Sequence, residues 1–444
     1  MKLLVKQALA AAGLSALFLV VYGSTMWLAH QYSHVNSYAY TFEKHILFMP
    51  WLIIPYMSID LFFIAAPFLL RERALATHIR RVVFTILIAG VCFALYPLKF
   101  SFDRPHVDGP LGVVFNTFRT LDGVFNEFPS LHMALLVLLV AVFFNHTRGI
   151  IRLVIAAWFA LIAISPVLVY QHHVIDLLGG ALLGLAALHL FREEPQPHRT
   201  RSQTIGTRYA LAAAVLFFIA FHFAGLVGII ILVPLALISI SYARGDAGIF
   251  KKSHGRLPIS AHLLCWPVLL GQRLSWLYYA RRAPAYDRLD DNLIMGRLLT
   301  TREAQRAIAN GGISAVIDTT VEFSEAAPFR TLPYLHLPTL DLTAPSQEQL
   351  AAAVAFIAEH APRGPVYVHC KAGFSRTAAV AGAYLLATGK AADAGEAQLI
   401  LRQARPSLVI RPETVEALEQ FAQRLPLASA SPARPSCENP RECR

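Results

Sequence analysis

Apolar residues fill the first half of the chain in long runs, whereas the second half alternates short apolar blocks with polar ones. The runs cover about 7–29, 47–70, 82–98, 131–146, 150–170, 173–191, 208–224 and 226–243. A helix of about 20 apolar residues crosses the hydrocarbon core of a bilayer, so these runs predict transmembrane helices. Lys2 and Lys6 open the first run. Its apolar stretch to about Ala29 is longer than a signal-peptide core and reads as a retained helix. Arg71, Arg73, Arg80 and Arg81 crowd the second loop, and Arg148 and Arg152 the fourth. Arg192, Arg199, Arg201 and Arg208 follow the sixth run, and Arg244, Lys251 and Lys252 the eighth. Counted alternately, these loops share one side with Lys2 and Lys6, which the positive-inside rule makes cytoplasmic.

Residues 254–283 combine Leu263, Leu264, Trp266, Leu269, Leu270, Leu274, Trp276 and Leu277 with Arg273, Arg281 and Arg282. That pattern predicts either an amphipathic helix in the membrane interface or a linker helix packed on the domain that follows. From about Ala285 to Leu427, short apolar runs alternate with helical periodicity, as in a compact α/β domain. The expected division is a membrane domain over 1–200, two further transmembrane helices and an amphipathic linker over 201–283, an α/β domain over 284–427 and a disordered tail over 428–444. The fold class is then a polytopic α-helical membrane domain of about 6–8 transmembrane helices, followed by a cytosolic α/β domain.

Composition agrees with this partition. Hydrophobic residues make up 56% of the 444 and the mean hydropathy is +0.50, too high for an ordinary soluble protein. The net charge of +11 sits largely in clusters flanking the apolar runs. It therefore reports topology rather than nucleic-acid binding, and no nucleic-acid partner is expected. Five cysteines, Cys92, Cys265, Cys370, Cys437 and Cys443, give no disulfide framework and no metal-type pairing with histidines.

The densest chemistry lies in His369-Cys370-Lys371-Ala372-Gly373-Phe374-Ser375-Arg376-Thr377. It follows a strand-like run, Val366-Tyr367-Val368, and precedes an Ala-rich helical run. Small residues between a strand and a helix N-terminus aim backbone N–H groups at an anion. Arg376 clamps phosphate oxygens with its planar fork. The same positive surroundings lower the Cys370 pKa and populate the nucleophilic thiolate. A reactive thiolate needs a reducing compartment, which again places this domain in the cytosol.

This Cys-x5-Arg loop resembles that of the cysteine-dependent protein tyrosine phosphatase superfamily, in its dual-specificity branch, over about residues 285–425. The resemblance implies that Cys370 attacks phosphorus, Arg376 holds the equatorial oxygens, Thr377 assists thiolate departure and His369 orients the loop. Lys371, Ala372, Gly373, Phe374 and Ser375 complete the phosphate-binding loop. Asp341, in Leu337-Pro338-Thr339-Leu340-Asp341, resembles the general-acid position, and Arg405-Pro406 a late structural landmark. The string Cys-Lys-Ala-Gly is similar to phosphatases acting on lipid head groups, with Phe374 where those carry a basic residue.

A second constellation lies in the first 200 residues: Lys99 to Pro105 with Arg104, Phe128-Pro129-Ser130-Leu131-His132, and His172-His173-Val174-Ile175-Asp176. The topology puts all three at the non-cytoplasmic face. His172 and Asp176 are four apart, on one helix face, where the carboxylate can orient the imidazole. The arrangement resembles the type 2 phosphatidic acid phosphatase superfamily over about 95–190, in its inositol phosphorylceramide synthase-like branch. By that resemblance His172 is the nucleophile, Asp176 its orienter, and His132 the general acid, with Arg104 and Ser130 holding phosphate. Where the family has a Ser-Arg pair this chain reads Ser165-Pro166. That leaves open a phosphatase, a phosphotransferase or a site that only binds.

The sequence thus predicts a bifunctional phosphatase of phospholipid metabolism in a cell membrane, crossed several times, such as a bacterial inner membrane. Its expected partners are the bilayer and a phospholipid or other phosphomonoester substrate. No cofactor or metal is expected, because Arg, Lys and backbone amides supply the positive charge. A membrane-anchored protein phosphatase acting on Tyr, Ser or Thr phosphates is the alternative, and a transporter or scaffold for lipid phosphates is a third class.

Overall fold

The computed structural model describes residues 2–121, 123–193 and 200–425. The predicted tail 428–444, with Cys437 and Cys443, and Arg199 lie outside the described residues. The chain folds as two compact units.

Of the described residues, 2–121, 123–193, 207–240 and 259–267 form the first unit. Its helices are α1 (Lys2–His30), α2 (Ile53–Ala65), α3 (Glu72–Leu95), α4 (Gly109–Leu121), α5 (Leu131–His146), α6 (Gly149–Leu168), α7 (Val174–Leu190), α8 (Gln203–Ala224) and α9 (Ile229–Arg244), the last two running into the second unit at their outer ends. Eight of these, all but α4, correspond to the eight apolar runs. Lys2–His30, Pro50–Leu69, Glu72–Leu95, Gly149–Leu168 and Gln203–Arg244 are long and apolar enough to cross a membrane, while α5 and α7 are apolar but shorter. Large apolar side chains such as Leu19, Leu95, Ile150 and Leu153 stay exposed, as expected where lipid rather than water is the solvent. The protein is a membrane protein.

Helices α5 and α7 pack closely, and small residues make the approach possible. A Cβ on Gly180 would lie 2.2 Å from the Ser130 carbonyl oxygen, and one on Gly184 2.6 Å from that of Ala134. Without a hydrophobic force between helices in lipid, such close backbone packing drives association. It also brings the Ser130 N–H to the Asp176 carbonyl at 2.9 Å, fixing the starts of α5 and α7 against each other.

Of the described residues, 200–206, 241–258 and 268–425 form the second unit. It contains most of α10 (Ile259–Ala280), whose residues 259–267 cluster with the first unit. A five-stranded sheet follows, in the order β1 (Tyr286–Arg288), β2 (Leu293–Arg297), β5 (Val366–Cys370), β3 (Ala315–Asp318) and β4 (Tyr334–His336). Only β1 pairs antiparallel. Parallel strands are covered on both faces and so read as continuous apolar runs. Accordingly Met295, Ile317 and Val368 enter one core, and Ile294, Val316 and Tyr367 the other. The helices are α11 (Thr301–Gly311), α12 (Gln347–His360), α13 (Ser375–Ala387), α14 (Ala394–Ala404) and α15 (Pro412–Arg424). The Ala-rich start of α13 is entirely buried, so the helix after the cysteine loop is the centre of its layer. Cys370 ends the central strand β5, at the carboxyl edge where open α/β sheets place their ligands.

Gly180→Val tests the α5–α7 contact. The Ser130 carbonyl is backbone and cannot yield, so overpacking should cost about 1–3 kcal/mol. The expected outcome is a lower melting temperature of the helical unit in detergent, with hydrolysis of a soluble phosphomonoester at Cys370 unchanged.

Candidate active sites

The loop after β5 is shaped by its neighbours. Gly373 has φ +71°, and a Cβ there would lie 2.6 Å from the backbone of Gly296, so only glycine fits the turn. Arg405, fully buried, donates Nε–H to the Gly373 carbonyl at 3.1 Å and Nη2–H to Pro284 O at 2.9 Å, and pairs with Asp287. The Arg405-Pro406 landmark is therefore a brace under the loop. The Ser375 hydroxyl bonds Thr414 at 2.8 Å and accepts from the Arg411 N–H at 3.0 Å. That hydroxyl ties α13 to the start of α15.

Cys370 is buried and unpaired, and its Sγ accepts the Phe374 N–H at 3.4 Å. Burial alone would push the thiol up; the Arg376 guanidinium, Thr377 and the Phe374 N–H outweigh it and hold the thiol below its usual range. Arg376 is gripped from behind by Glu322 at 2.7 and 3.2 Å, and Nη1 donates to the Thr339 carbonyl at 2.9 Å. Its Nη2 also reaches Asp341 Oδ1 at 3.0 Å, while Lys371 Nζ meets Asp341 Oδ2 at 2.5 Å. Burial would raise the Asp341 carboxyl, but Arg376 and Lys371 together hold it below the ordinary value. The one carboxylate thus engages both cations of the loop.

His369 faces away from the thiolate, donating Nε2–H to Glu325 at 2.6 Å. Burial disfavours its charge, but Glu325 and Asp318 raise its pKa to about 9. Asp318 is engaged in turn by Lys252, by Tyr334 at 2.5 Å and by the Thr320 N–H at 2.7 Å. Asp318, Glu325 and His369 lie close enough to hold a metal ion, yet these contacts already satisfy them. Glu322, Glu325 and Asp318 carry no sequence signal and Lys252 reads only as a basic residue flanking an apolar run; the fold brings all four to the loop.

In the first unit, Asp176 Oδ2 accepts the His173 N–H at 2.8 Å and so caps α7. The same oxygen lies 3.7 Å from His172 Nδ1, while Glu127 Oε2 is nearer, at 3.3 Å. Both side chains are almost fully buried, and neither His172 Nδ1 nor Glu127 Oε2 has a fully formed hydrogen bond. Glu127 was invisible to motif reading, although it precedes Phe128-Pro129-Ser130 directly. The three atoms would also suit a small cation. The carbonyl of Pro166 receives the His172 N–H at 3.1 Å, so the Ser165-Pro166 departure helps place the histidine.

The remaining predicted residues are more dispersed. His132 faces the Ile162 carbonyl at 3.3 Å and stacks on Tyr56 at 4.5 Å; it makes no hydrogen bond to His172. The Ser130 hydroxyl caps α5 by accepting the Met133 N–H at 3.3 Å. Arg104 donates to the Gly123 carbonyl at 3.1 Å and covers the Phe100 ring. His173 pairs with Glu43 at 2.9 Å through Nδ1, and its Nε2 accepts the Ser101 N–H at 3.2 Å. It therefore ties the segments of Glu43 and Ser101 to the start of α7.

Two family models match. Residues 299–424 match the dual specificity phosphatase catalytic domain, and residues 78–196 the PAP2 superfamily. Phosphatidylglycerophosphatase and protein-tyrosine phosphatase 1 of Mus musculus is 29% identical over 185 residues, 38% of this chain and 93% of its own. Phosphatidylglycerophosphate phosphatase PTPMT2 of Arabidopsis thaliana is 30% identical over 145 residues, 31% of this chain and 63% of its own. A crystal structure of PTPMT1 in complex with PI(5)P is 26% identical with a TM-score of 0.29, covering 32% of this chain and 96% of that one. The chain is a phosphoric monoester hydrolase that joins a PAP2 superfamily domain to a dual specificity phosphatase catalytic domain.

Proposed function

We propose that the cysteine site hydrolyses a phospholipid phosphomonoester at the cytoplasmic face, and that the histidine site cleaves or transfers a lipid phosphoryl group at the opposite face. One observation carries the first reading: Lys371 and Arg376 converge on Asp341 beside the Cys370 thiolate, giving two cations, an acid and a nucleophile in one cradle. The relatives named for phosphatidylglycerophosphate make that lipid class the candidate substrate. A second cation beside the arginine suits a substrate more highly charged than phosphotyrosine.

Chemically, Cys370 Sγ attacks phosphorus as the ester P–O bond breaks. The leaving alkoxide takes its proton from Asp341, and Arg376 with the loop amides holds the equatorial oxygens. Asp341, now ionised, removes a proton from water, which attacks the phosphocysteine and restores the thiolate. The products are an alcohol and inorganic phosphate.

At the other site, His172 would attack through Nε2 while Glu127 and Asp176 flank Nδ1. The basic loops on the side of Lys2 and Lys6 support the assignment of faces.

Cys370→Ser should abolish hydrolysis at the cytosolic site. Asp341→Asn should lower kcat on an alkyl phosphate by about 10²–10⁴ yet barely affect a p-nitrophenyl ester, whose leaving group needs no proton. In the complex the substrate phosphate takes over Arg376 and Lys371, which frees Asp341 from the two cations that depress it and lets it hold a proton. Accordingly kcat falls at low pH as Cys370 protonates and at high pH as Asp341 ionises. Asp341→Asn should therefore erase only the high-pH limb of kcat. A retained limb would remove Asp341 from the acid role, and preference of the wild type for phosphotyrosyl peptides over lipid would favour a protein phosphatase.

In Cys370→Ser protein, Glu127→Gln should lower residual lipid phosphate turnover at least tenfold, as expected where a carboxylate orients a catalytic imidazole. An unchanged rate would leave Asp176 as the sole orienting group.

A further inference from the structure

The helix that precedes the phosphatase sheet is bound to the catalytic loop itself. Gln272 Oε1 accepts from Lys371 Nζ at 2.8 Å, the same amine that holds Asp341. One turn on, Trp276 is buried and donates its indole N–H to the Leu298 carbonyl at 3.0 Å. Tyr279 packs edge-on against Phe374, with ring centroids 5.4 Å apart. Phe374, the position where lipid head-group phosphatases resembling this loop carry a basic residue, is thus an anchor for α10. These three residues recur at four and three positions, so they occupy one face of the helix.

Among the described residues the opposite face is only partly covered. Leu270, Leu274 and Leu277 are 51%, 58% and 36% exposed and Tyr278 is 50% exposed, again at four-, three- and one-residue spacing. Arg273, Arg281 and Arg282 are exposed beside them; Arg273 covers the Trp276 ring and Arg282 that of Tyr278. A stripe of leucines bordered by arginines and aromatics is the composition of a helix lying in an anionic bilayer interface. Only residues 245–258 separate α10 from the last apolar helix, which keeps it near the membrane.

We propose that α10 lies on the bilayer surface by its Leu270–Leu274–Leu277 stripe, and that its other face forms one wall of the cysteine site. That site then takes phosphomonoester lipids from the same surface. The inference rests on the lipid reading of that site and deepens it. A helix with its side chains is about 10 Å thick, so the cradle stands one helix diameter above the interface. A phosphate carried outward on a polar head group reaches it. A phosphate seated directly on the lipid's glycerol backbone does not.

The test uses full-length His172→Ala protein in vesicles containing anionic lipid, so that only the cysteine site is read. Two substrates are compared, a long-chain lipid phosphomonoester embedded in the vesicle and a water-soluble alkyl phosphate. Adding Leu270→Glu and Leu274→Glu should reduce turnover of the embedded lipid at least tenfold while the soluble ester is hydrolysed as before. Loss of both activities in parallel would show the stripe to be a structural element of the domain and overturn the proposal. Equal turnover of both substrates before the glutamates are added would overturn the lipid reading itself. A lipid preference that survives the glutamates would overturn only the role of α10. Independently, a tryptophan introduced by Leu274→Trp should be quenched by brominated acyl chains, and an unquenched signal would contradict the seating of the helix.

Discussion

Everything at the cysteine site depends on keeping the Arg376 guanidinium charged and immobile in a buried place. A buried cation is tolerated only when paired and fully hydrogen-bonded. Glu322 supplies the permanent pair, the Thr339 carbonyl a further acceptor and Asp341 an exchangeable one. The arrangement explains why the loop resists collapse around its own charge. The rear carboxylate fixes the fork and leaves Asp341 on its other side. The arrangement also explains the depressed thiol, because the guanidinium charge stabilises the thiolate. Behind this layer lies a second, in which Glu325 holds His369 and Lys252 holds Asp318. Polar networks of this kind are favourable only when every member is satisfied, and here nearly every oxygen has a donor.

How much of this was legible in the sequence follows from the range of each interaction. Cys370 to Thr377 is a local structure made by consecutive residues between a strand and a helix, so its chemistry could be read directly. Asp341 was singled out by its resemblance to an acid loop, and the structure brings its carboxylate to Arg376 and Lys371. Glu322 and Glu325 sit in a segment with no periodicity, and Lys252 appeared only as one of several basic residues flanking an apolar run. Their positions come from the parallel sheet, which sets the Asp318 end of β3 beside His369 of β5. No pattern in one chain encodes such a pairing. Gln272 was hidden differently, because an interfacial helix and a packed linker helix share one pattern. The structure gives the helix a packed face, and the exposed stripe is what remains of the other.

The helical unit shows the complementary limit. Ser130 and Asp176 were read as phosphate-site residues, yet both cap helices. Serine and aspartate are the preferred residues for both purposes, so type and position alone cannot separate the roles. The close approach of α7 to α5 ties the two purposes together, since the caps hold His172 beside Glu127. A buried imidazole between two carboxylates is costly unless protons or a ligand balance it, which is the physical reason to regard the cluster as functional.

Direct observation of the phosphoenzyme tests the central claim that one chain carries two independent phosphoryl sites. Full-length protein in vesicles would be mixed with a lipid phosphomonoester, quenched within milliseconds and digested, and the phosphorylated peptides identified by mass spectrometry. The account predicts a phosphocysteine at Cys370 that vanishes in Cys370→Ser, and a separate phosphohistidine at His172 that survives that substitution and vanishes in His172→Ala. Absence of label at Cys370 in the wild type, or loss of both labels with either single substitution, would contradict it.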